Sequence, residues 1–229
     1  MTVKAINYRT LFIVGVLLAL LSACKSKEQD QAEREAIAAL TLTTTTYNYT
    51  KYELYDISFM DVNDKFDIEA AAPSGSVFFR NGGFLNLDDG TTISSETSSC
   101  CFFWKYKQED KVKLRVVWNV IFDLKRFEGD ESRTYNKRNT KLPQPGTAWC
   151  EEIVEVRRPF PVKPGIFFLH FFPDGTVSAH LGEWGTLTFD GPVSSAEFKK
   201  HNSPLPPTEF CRHYVDNPWN GIPQRPRIE

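Results

Sequence analysis

The chain has 229 residues and carries 27 Lys plus Arg against 29 Asp plus Glu, a formal net charge of −2. A balance this close to neutral gives no reason to expect a nucleic acid or an anionic membrane surface as partner. Aromatic residues make up 14% of the chain, which is ample material for a packed core.

The N-terminal segment has the layout of a secretory signal peptide. Two basic residues precede the apolar run LFIVGVLLALL (residues 11–21), and small residues follow before Cys24. The run is too short for a permanent transmembrane helix, which needs about 20 apolar residues. Leu21-Ser22-Ala23-Cys24 resembles the bacterial lipobox, in which the cysteine is acylated before cleavage. We therefore expect a lipoprotein cut before Cys24, the alternative being an ordinary signal peptide whose cysteine is incidental.

The acylated cysteine would fix the location of the mature chain. Several acyl chains, palmitate among them, make anchoring effectively permanent, because each buried methylene contributes about 0.8 kcal/mol. Lys25 follows Cys24, and in lipoproteins of this kind the absence of aspartate there resembles a signal for the outer membrane. Removing residues 1–23 from the 229 leaves 206 and takes away two basic residues, so the mature net charge is −4. We expect a periplasm-facing protein held in the bilayer through Cys24.

Five cysteines occur, and assigning Cys24 to lipid leaves an even set. Thiols are oxidised outside the cytoplasm, so two disulfides are expected, with three possible connectivities. Adjacent cysteines on a strand point to opposite faces, which favours a distant partner for each member of the Cys-Cys pair. A metal site is disfavoured because the sequence lacks a Cys-x-x-Cys pattern and its histidines are scattered. The disulfide candidates are Cys100, Cys101, Cys150 and Cys211.

Four segments follow one another along the chain. The signal peptide (1–23) precedes a polar tether (24–41) rich in helix-forming residues. A β-rich domain (42–191) begins at the Thr-rich stretch TLTTTTYNYT. The last segment (192–229) holds seven of the 14 prolines, so it should be irregular and packed on the domain. The predicted fold is mainly β, an antiparallel sandwich-like single domain with long loops and an irregular Pro-rich tail.

Two segments carry the clearest strand patterns. From Lys111 to Phe122 apolar residues alternate with polar ones, the period of a sheet with one buried face, and the even positions should face the core. Residues 166–172 (IFFLHFF) are apolar on both faces, which indicates a strand in the middle of a sandwich. A Pro-Asp-Gly turn then predicts a hairpin. His170 and His180 lie on its two arms and should be neighbours, as structural residues rather than a ligand pair.

Two polar segments outside the strands are candidate contact surfaces. Lys125–Pro145 is highly charged, and a loop of this length is usually functional or disordered. The Pro-rich tail is the second. Within the tail, Ser194 with Glu197 predicts a capped short helix, and Cys211 should pin the chain to the domain.

No catalytic constellation stands out. The sequence has no Gly-x-Ser-x-Gly elbow, phosphate-binding loop, dinucleotide fingerprint or His-Glu-x-x-His motif. Turn formation is favoured over acid-base catalysis or calcium binding for the clustered carboxylates. Trp184 and Trp219 stand beside turn residues, where a lid over the core is favoured over an exposed binding residue. We expect no enzyme activity, no cofactor and no metal. The clustered carboxylates are Asp61, Asp64, Asp67, Asp88 and Asp89.

Several short motifs together resemble a family of proteobacterial lipoproteins, a domain of unknown function often found beside type VI secretion phospholipases. The similarity covers roughly 46–184, and the Cys-Cys pair with the final hairpin is its most specific part. The tail lies outside it. The matching motifs are Tyr47-Asn48-Tyr49-Thr50, Val62-Asn63, Gly82-Gly83, Ser99-Cys100-Cys101, the strand Val112–Trp118 and VEVRRPFPVKPGIFFLHFFPDGTV (154–177).

The resemblance implies a function. Some members of that family are similar to immunity proteins, which sit in the periplasm and block an incoming phospholipase effector. Such an inhibitor needs only a rigid scaffold with complementary loops. The sequence therefore leads to two hypotheses. One is an immunity protein that binds a phospholipase toxin; the other is a general envelope lipoprotein that binds a ligand or scaffolds other components. The resemblance brings no inhibitory residues with it.

Overall fold

The computed structural model of the chain describes residues 41–77, 85–86, 92–93, 96–103, 110–157, 164–183 and 193–223. Its strands are β1 (Thr41–Asn48), β2 (Glu53–Asp61), β3 (Ala72–Val77), β4 (Leu85–Asn86), β5 (Thr92–Ile93), β6 (Glu96–Phe103), β7 (Lys111–Ile121), β8 (Thr147–Arg157), β9 (Pro164–Phe171), β10 (Val177–Glu183) and β11 (His213–Tyr214). Its helices are α1 (Leu124–Glu128), α2 (Asp130–Arg133), α3 (Ser195–His201) and α4 (Pro207–Phe210).

Two sheets form the core of the fold. The first has the strand order β10-β9-β1-β6 and the second β11-β8-β7-β2-β3, while β4 and β5 make a separate two-stranded pair. The sheets approach each other on both sides, because β3 packs beside β6 and β8 beside β10. The predicted mainly β, sandwich-like fold is confirmed. All described residues belong to one compact unit, Leu40–Glu229.

One pairing departs from the predicted antiparallel arrangement. β1 and β9 run parallel, whereas the other pairings of the described strands are antiparallel. A parallel pair cannot be joined by a tight turn and needs a long connection. More than 100 residues separate these two strands along the chain, and they include most of the second sheet. The first sheet is therefore mixed.

The long strand β7 confirms the predicted inward face. Its even positions from Val112 to Val120 lie in the core between the sheets. The alternation indicated a sheet with one buried face, but the structure also buries half of the opposite face. Val117, Asn119 and Ile121 are also buried. Phe127 of α1 packs against Tyr55, the cross-strand neighbour of Asn119, so the charged loop after β7 folds back over this half of the sheet.

Strand β9 is buried on both faces, as its apolar run predicts. Phe167, Leu169 and Phe171 enter the core between the sheets. Phe168 and the residues at 170 and 172 point the other way, and the rings of Phe168 and Phe172 join a second aromatic cluster closed by Phe198 of α3. The side chain of Ser194 caps α3 by accepting a hydrogen bond from the backbone N–H of Glu197, as predicted. The tail thus supplies the cover for the outer aromatic face.

Cys150 of β8 and Cys211 form a disulfide with a Cα–Cα distance of 5.2 Å. Cys211 pins the tail to the domain, as predicted. The same bond shows that the favoured connectivity was wrong, because neither cysteine remains for Cys100 or Cys101. Cys100 is also disulfide-bonded.

The tail was predicted to be irregular, but it contains some regular secondary structure. It contains α3 and α4, and its two-residue strand β11 extends the second sheet beside β8. None of the helices in the described ranges is long and apolar enough to cross a membrane. The signal peptide, Cys24 and the tether lie outside the described residues.

The hairpin turn between β9 and β10 provides a test of how the tail is seated. Gly175 has φ +75°, and a Cβ there would lie 2.4 Å from the backbone oxygen of Phe210. Gly221 has φ +80° with nothing within 4 Å of such a Cβ. Both Gly→Ala changes carry the cost of a left-handed backbone, about 1–2 kcal/mol. Gly175→Ala adds the clash, so it should destabilise by about 1–3 kcal/mol more in chemical denaturation. Equal losses would contradict the close passage of the tail.

Candidate binding site

The charged loop after β7 is ordered by its own short helices. Asp123 caps α1, accepting a hydrogen bond from the backbone N–H of Arg126. Tyr135 Oη donates to the carbonyl of Leu142, which closes the second half of the loop. Burial raises the pKa of Tyr135, although its bond with Asn217 opposes that shift. The loop predicted from its composition is therefore a folded segment with two helical turns.

The Pro-rich tail packs directly on this loop through Asn217. The Asn217 side chain is 3% exposed, and its Nδ2 donates to Tyr135 Oη and to the carbonyls of Lys137 and Thr140. Its backbone N–H donates to the carbonyl of Lys141 at 2.8 Å. A buried amide satisfied by several backbone groups holds two segments in one arrangement. We call residues 135–141 and 215–223 together the loop–tail surface.

The loop–tail surface is fastened to β2 at Asp56. Register shifts on both sides of β2 mark a bulge here, and Asp56 has φ +50°, which is uncommon for a residue other than glycine. One carboxylate oxygen, Oδ2, accepts from Trp219 Nε1 at 3.0 Å and from Lys137 Nζ at 3.2 Å. Lys137 Nζ also lies 4.0 Å from the centroid of a Trp219 ring. Bulges commonly re-aim a side chain at a functional site, and this one points a carboxylate at both partner segments.

Arg138 makes the second fastening. Its Nη1 donates to the carbonyls of Ile222 and Pro223 at 2.8 and 2.9 Å, and lies 3.5 Å from Glu69 Oε1. Its own carbonyl accepts from the N–H of Gly221. The loop and the tail therefore exchange hydrogen bonds in both directions, and the carboxylates of Asp56 and Glu69 neutralise Lys137 and Arg138.

A cavity of about 510 Å³ opens where the loop–tail surface meets β2 and β3. This volume lies within the range of about 300–1,000 Å³ typical of ligand and anchor pockets. Trp219 is half-buried and forms one wall, so it is a binding-site candidate and not a core lid. The other lining residues are Asp56, Ile57, Ser58, Ile68, Glu69, Ala71, Pro73, Gly75, Ser76 and Arg138.

The histidine pair predicted from the hairpin is confirmed as a contact. His170 Nε2 and His180 Nδ1 are 3.2 Å apart, and Tyr49 Oη lies 2.8 Å from His170 Nδ1. Because Tyr49 Oη already accepts the N–H of Val193, we assign its own proton to His170, which then donates from Nε2 to His180. Burial and the neighbouring His180 lower the pKa of His170 to about 3. The rings of His170 and His180 stack on each other and on Phe168 and Phe172 of the second aromatic cluster.

A third histidine, His201, holds α3 beside this cluster. His201 Nδ1 lies 2.9 Å from Asp174 Oδ2, and its ring packs against Phe172. Burial would raise the pKa of Asp174, but the hydrogen bonds from His201 and Thr176 outweigh it and hold that pKa below the ordinary value. Asp174 thus pairs with the helix and not with the buried histidine pair.

The remaining predicted candidates are turn residues or lie elsewhere. Asp61 accepts from the backbone N–H of Asn63, and Asp67 from that of Glu69, so both stabilise turns. Within the described ranges, no group of three or more metal-ligating side chains converges. Asp88, Asp89 and Trp184 fall outside those ranges. Sequence reasoning missed Asp56 and Arg138, since isolated charged residues carry no spacing signal.

Comparisons with protein families, curated proteins and solved structures found no match to this chain.

Proposed function

We propose that this chain is a lipid-anchored periplasmic protein that binds and neutralises a type VI secretion phospholipase effector. One observation carries the proposal. The two segments that the sequence singled out as contact surfaces, the charged loop and the Pro-rich tail, form one continuous surface beside a cavity. Loops held on a rigid β scaffold are a common way to build a recognition surface.

The composition of the loop–tail surface suits protein recognition. Trp, Tyr and Arg dominate the binding energy of most interfaces, and Trp219, Tyr135 and Arg138 all belong to this surface. Tyr135 and Arg138 donate hydrogen bonds to backbone carbonyls, and Trp219 donates to the Asp56 carboxylate, so all three are ordered before a partner arrives. A preorganised surface loses less conformational entropy on binding.

The N-terminal sequence supports the location at the membrane that this function requires. A lipid on Cys24 would keep the domain within a tether's length of the bilayer that a phospholipase attacks. Residues 24–41 are polar and rich in helix formers, which suits a spacer between the lipid and the folded domain. The anchor and the binding surface would then act together, because the domain would bind the phospholipase at the membrane that the enzyme attacks.

Pull-down and growth protection test the proposal together. The mature domain should capture a type VI secretion phospholipase effector, and the full chain should protect cells that export that enzyme. Trp219→Ala should weaken binding at least about 30-fold, the effect of losing a hot-spot residue. The control is Ile153→Ala, because Ile153 is 47% exposed on β8 and lies outside the loop–tail surface. The proposal is refuted if the unaltered protein neither captures the enzyme nor protects the cells.

The cavity favours a second candidate, an envelope lipoprotein that binds a small ligand. Its volume and mixed lining fall within the ordinary range of small-molecule sites. Copurification of a small molecule with the mature domain, together with no affinity for the phospholipase, would support this function over the first.

A further inference from the structure

The cavity beside Asp56 has an apolar floor and a rim whose charges are already paired. Ile57, Ile68 and Ala71 supply apolar surface, and Trp219 forms a wall. Around them, the Asp56 carboxylate is paired with Lys137 and the Glu69 carboxylate with Arg138. All four of these charged side chains are partly shielded, with side-chain exposures of 22% to 42%.

This pairing decides what kind of group the cavity admits. A cation or an anion entering it would lose its hydration and meet groups that are already neutralised, so its desolvation cost would not be recovered. An uncharged aromatic ring would instead pack on the apolar floor and against Trp219, which is favourable beyond the area buried. The cavity therefore selects against charged side chains.

Polar atoms inside the cavity indicate which aromatic side chains would fit it best. Among the described residues no hydrogen bond reaches Asp56 Oδ1 or Ser58 Oγ, although both residues line the cavity. A ring that carries a hydroxyl or an N–H would satisfy one of them. Tyrosine and tryptophan combine such a group with a large apolar body.

We propose that this cavity is the anchor pocket of the interface and receives a tyrosine or tryptophan side chain from a protruding loop of the partner protein. The proposal rests on the proposed function, because it names how the same surface holds its partner. A cavity of about 510 Å³ exceeds a single side chain and has room for the backbone on either side of it.

A small-molecule probe tests the chemistry without the partner. N-acetyl-L-tyrosinamide and N-acetyl-L-lysinamide would be titrated into the mature protein while the indole N–H signal of Trp219 is followed by NMR, assigned by its loss in Trp219→Phe. The tyrosine probe should shift this signal with saturable, millimolar affinity, at least 10-fold tighter than the lysine probe. Equal affinities, or no shift with the tyrosine probe, would overturn the proposal.

Filling the cavity tests its use in the interface. Ala71→Phe places a ring in the cavity, and the matched control Ala196→Phe places the same ring on the exposed side of α3. Ala71→Phe should abolish the tyrosine-probe shift and weaken phospholipase binding at least 10-fold, with the control within twofold of the unaltered protein. If Ala71→Phe does not fold, Ile68→Trp replaces it in both measurements, because it fills the cavity from another side.

The two proposals fail in different ways. Full phospholipase affinity in a folded, cavity-filled variant would overturn the anchor pocket and leave the immunity function standing. If the protein binds the tyrosine probe saturably in its cavity but has no affinity for the phospholipase, the proposed function is overturned and the aromatic selectivity of the cavity stands.

Discussion

Replacing both Cys150 and Cys211 by alanine should lower the free energy of unfolding by about 4 kcal/mol. The disulfide closes a loop with a sequence separation of 61 residues, and constraining a loop of this size in the unfolded chain contributes about that much. Both cysteines are buried in the core between the sheets, at 0% and 4% exposure. Removing their sulfur atoms therefore also costs packing contacts, which lowers the free energy of unfolding further. Urea denaturation of the oxidised protein and the double variant measures the difference. A loss below about 1 kcal/mol would show that the tail docks independently of the bond.

The same variant should loosen the loop–tail surface. Beyond Cys211 the tail is held by β11, by the hydrogen bond from the N–H of Val215 to the carbonyl of Trp149, and by the side-chain hydrogen bonds of Asn217, Trp219 and Arg138 already described. Hydrogen exchange should therefore quicken in residues 212–223 before it quickens in β7, which lies in the centre of its sheet. Unchanged exchange in the tail would show that the hydrogen bonds alone suffice to hold it.

Acid should destabilise the protein through His170, and His170→Phe should remove that part of the pH dependence. Burial and the neighbouring His180 lower the folded-state pKa of His170 to about 3, against about 6.5 in the unfolded chain. The folded state thus excludes a proton that the unfolded state binds, so stability is complete above about pH 6.5 and falls as the pH drops toward 3. Linkage gives a loss of about 2 kcal/mol between pH 7.5 and pH 5 from this group.

Urea denaturation at the two pH values measures this effect. His170→Phe keeps an aromatic ring in the stack but removes the acceptor for Tyr49 Oη, so it should cost about 1–3 kcal/mol at pH 7.5. Its further loss at pH 5 should be smaller than that of the unaltered protein by about 2 kcal/mol. His213→Phe is the control, because His213 is exposed. The low pKa of Asp174 affects stability only at more acidic pH. Parallel pH profiles for His170→Phe and the unaltered protein would contradict the role of the buried pair.

Much of the fold was predictable because its strands carry strong local signals. The alternation from Val112 to Val120 and the two-sided apolar run before Phe172 correspond to β7 and β9. The parallel pairing of β1 with β9 was not predictable, since register between distant strands depends on contacts that no local pattern contains. Burial of Asn119 was missed for the same reason, because it depends on a loop folding back over the sheet.

The candidate site was predictable only at the level of segments. Composition marked the charged loop and the Pro-rich tail as surfaces, and Trp219 as a residue of interest. Asp56, which joins the two segments to β2, sits in a bulge with φ +50° that the surrounding strand sequence does not indicate. Disulfide pairing was not predictable from the sequence either, since a local strand pattern does not determine which distant cysteines meet.

Hydrogen exchange of the mature domain, alone and mixed with a type VI secretion phospholipase effector, tests the central claim most directly. If the loop–tail surface binds the enzyme, exchange should slow in residues 135–141 and 215–223 and stay unchanged in α3, which covers a different face through Phe198. Slowed exchange confined to α3 or to the outer strands, or no slowing anywhere at saturating enzyme, would contradict it.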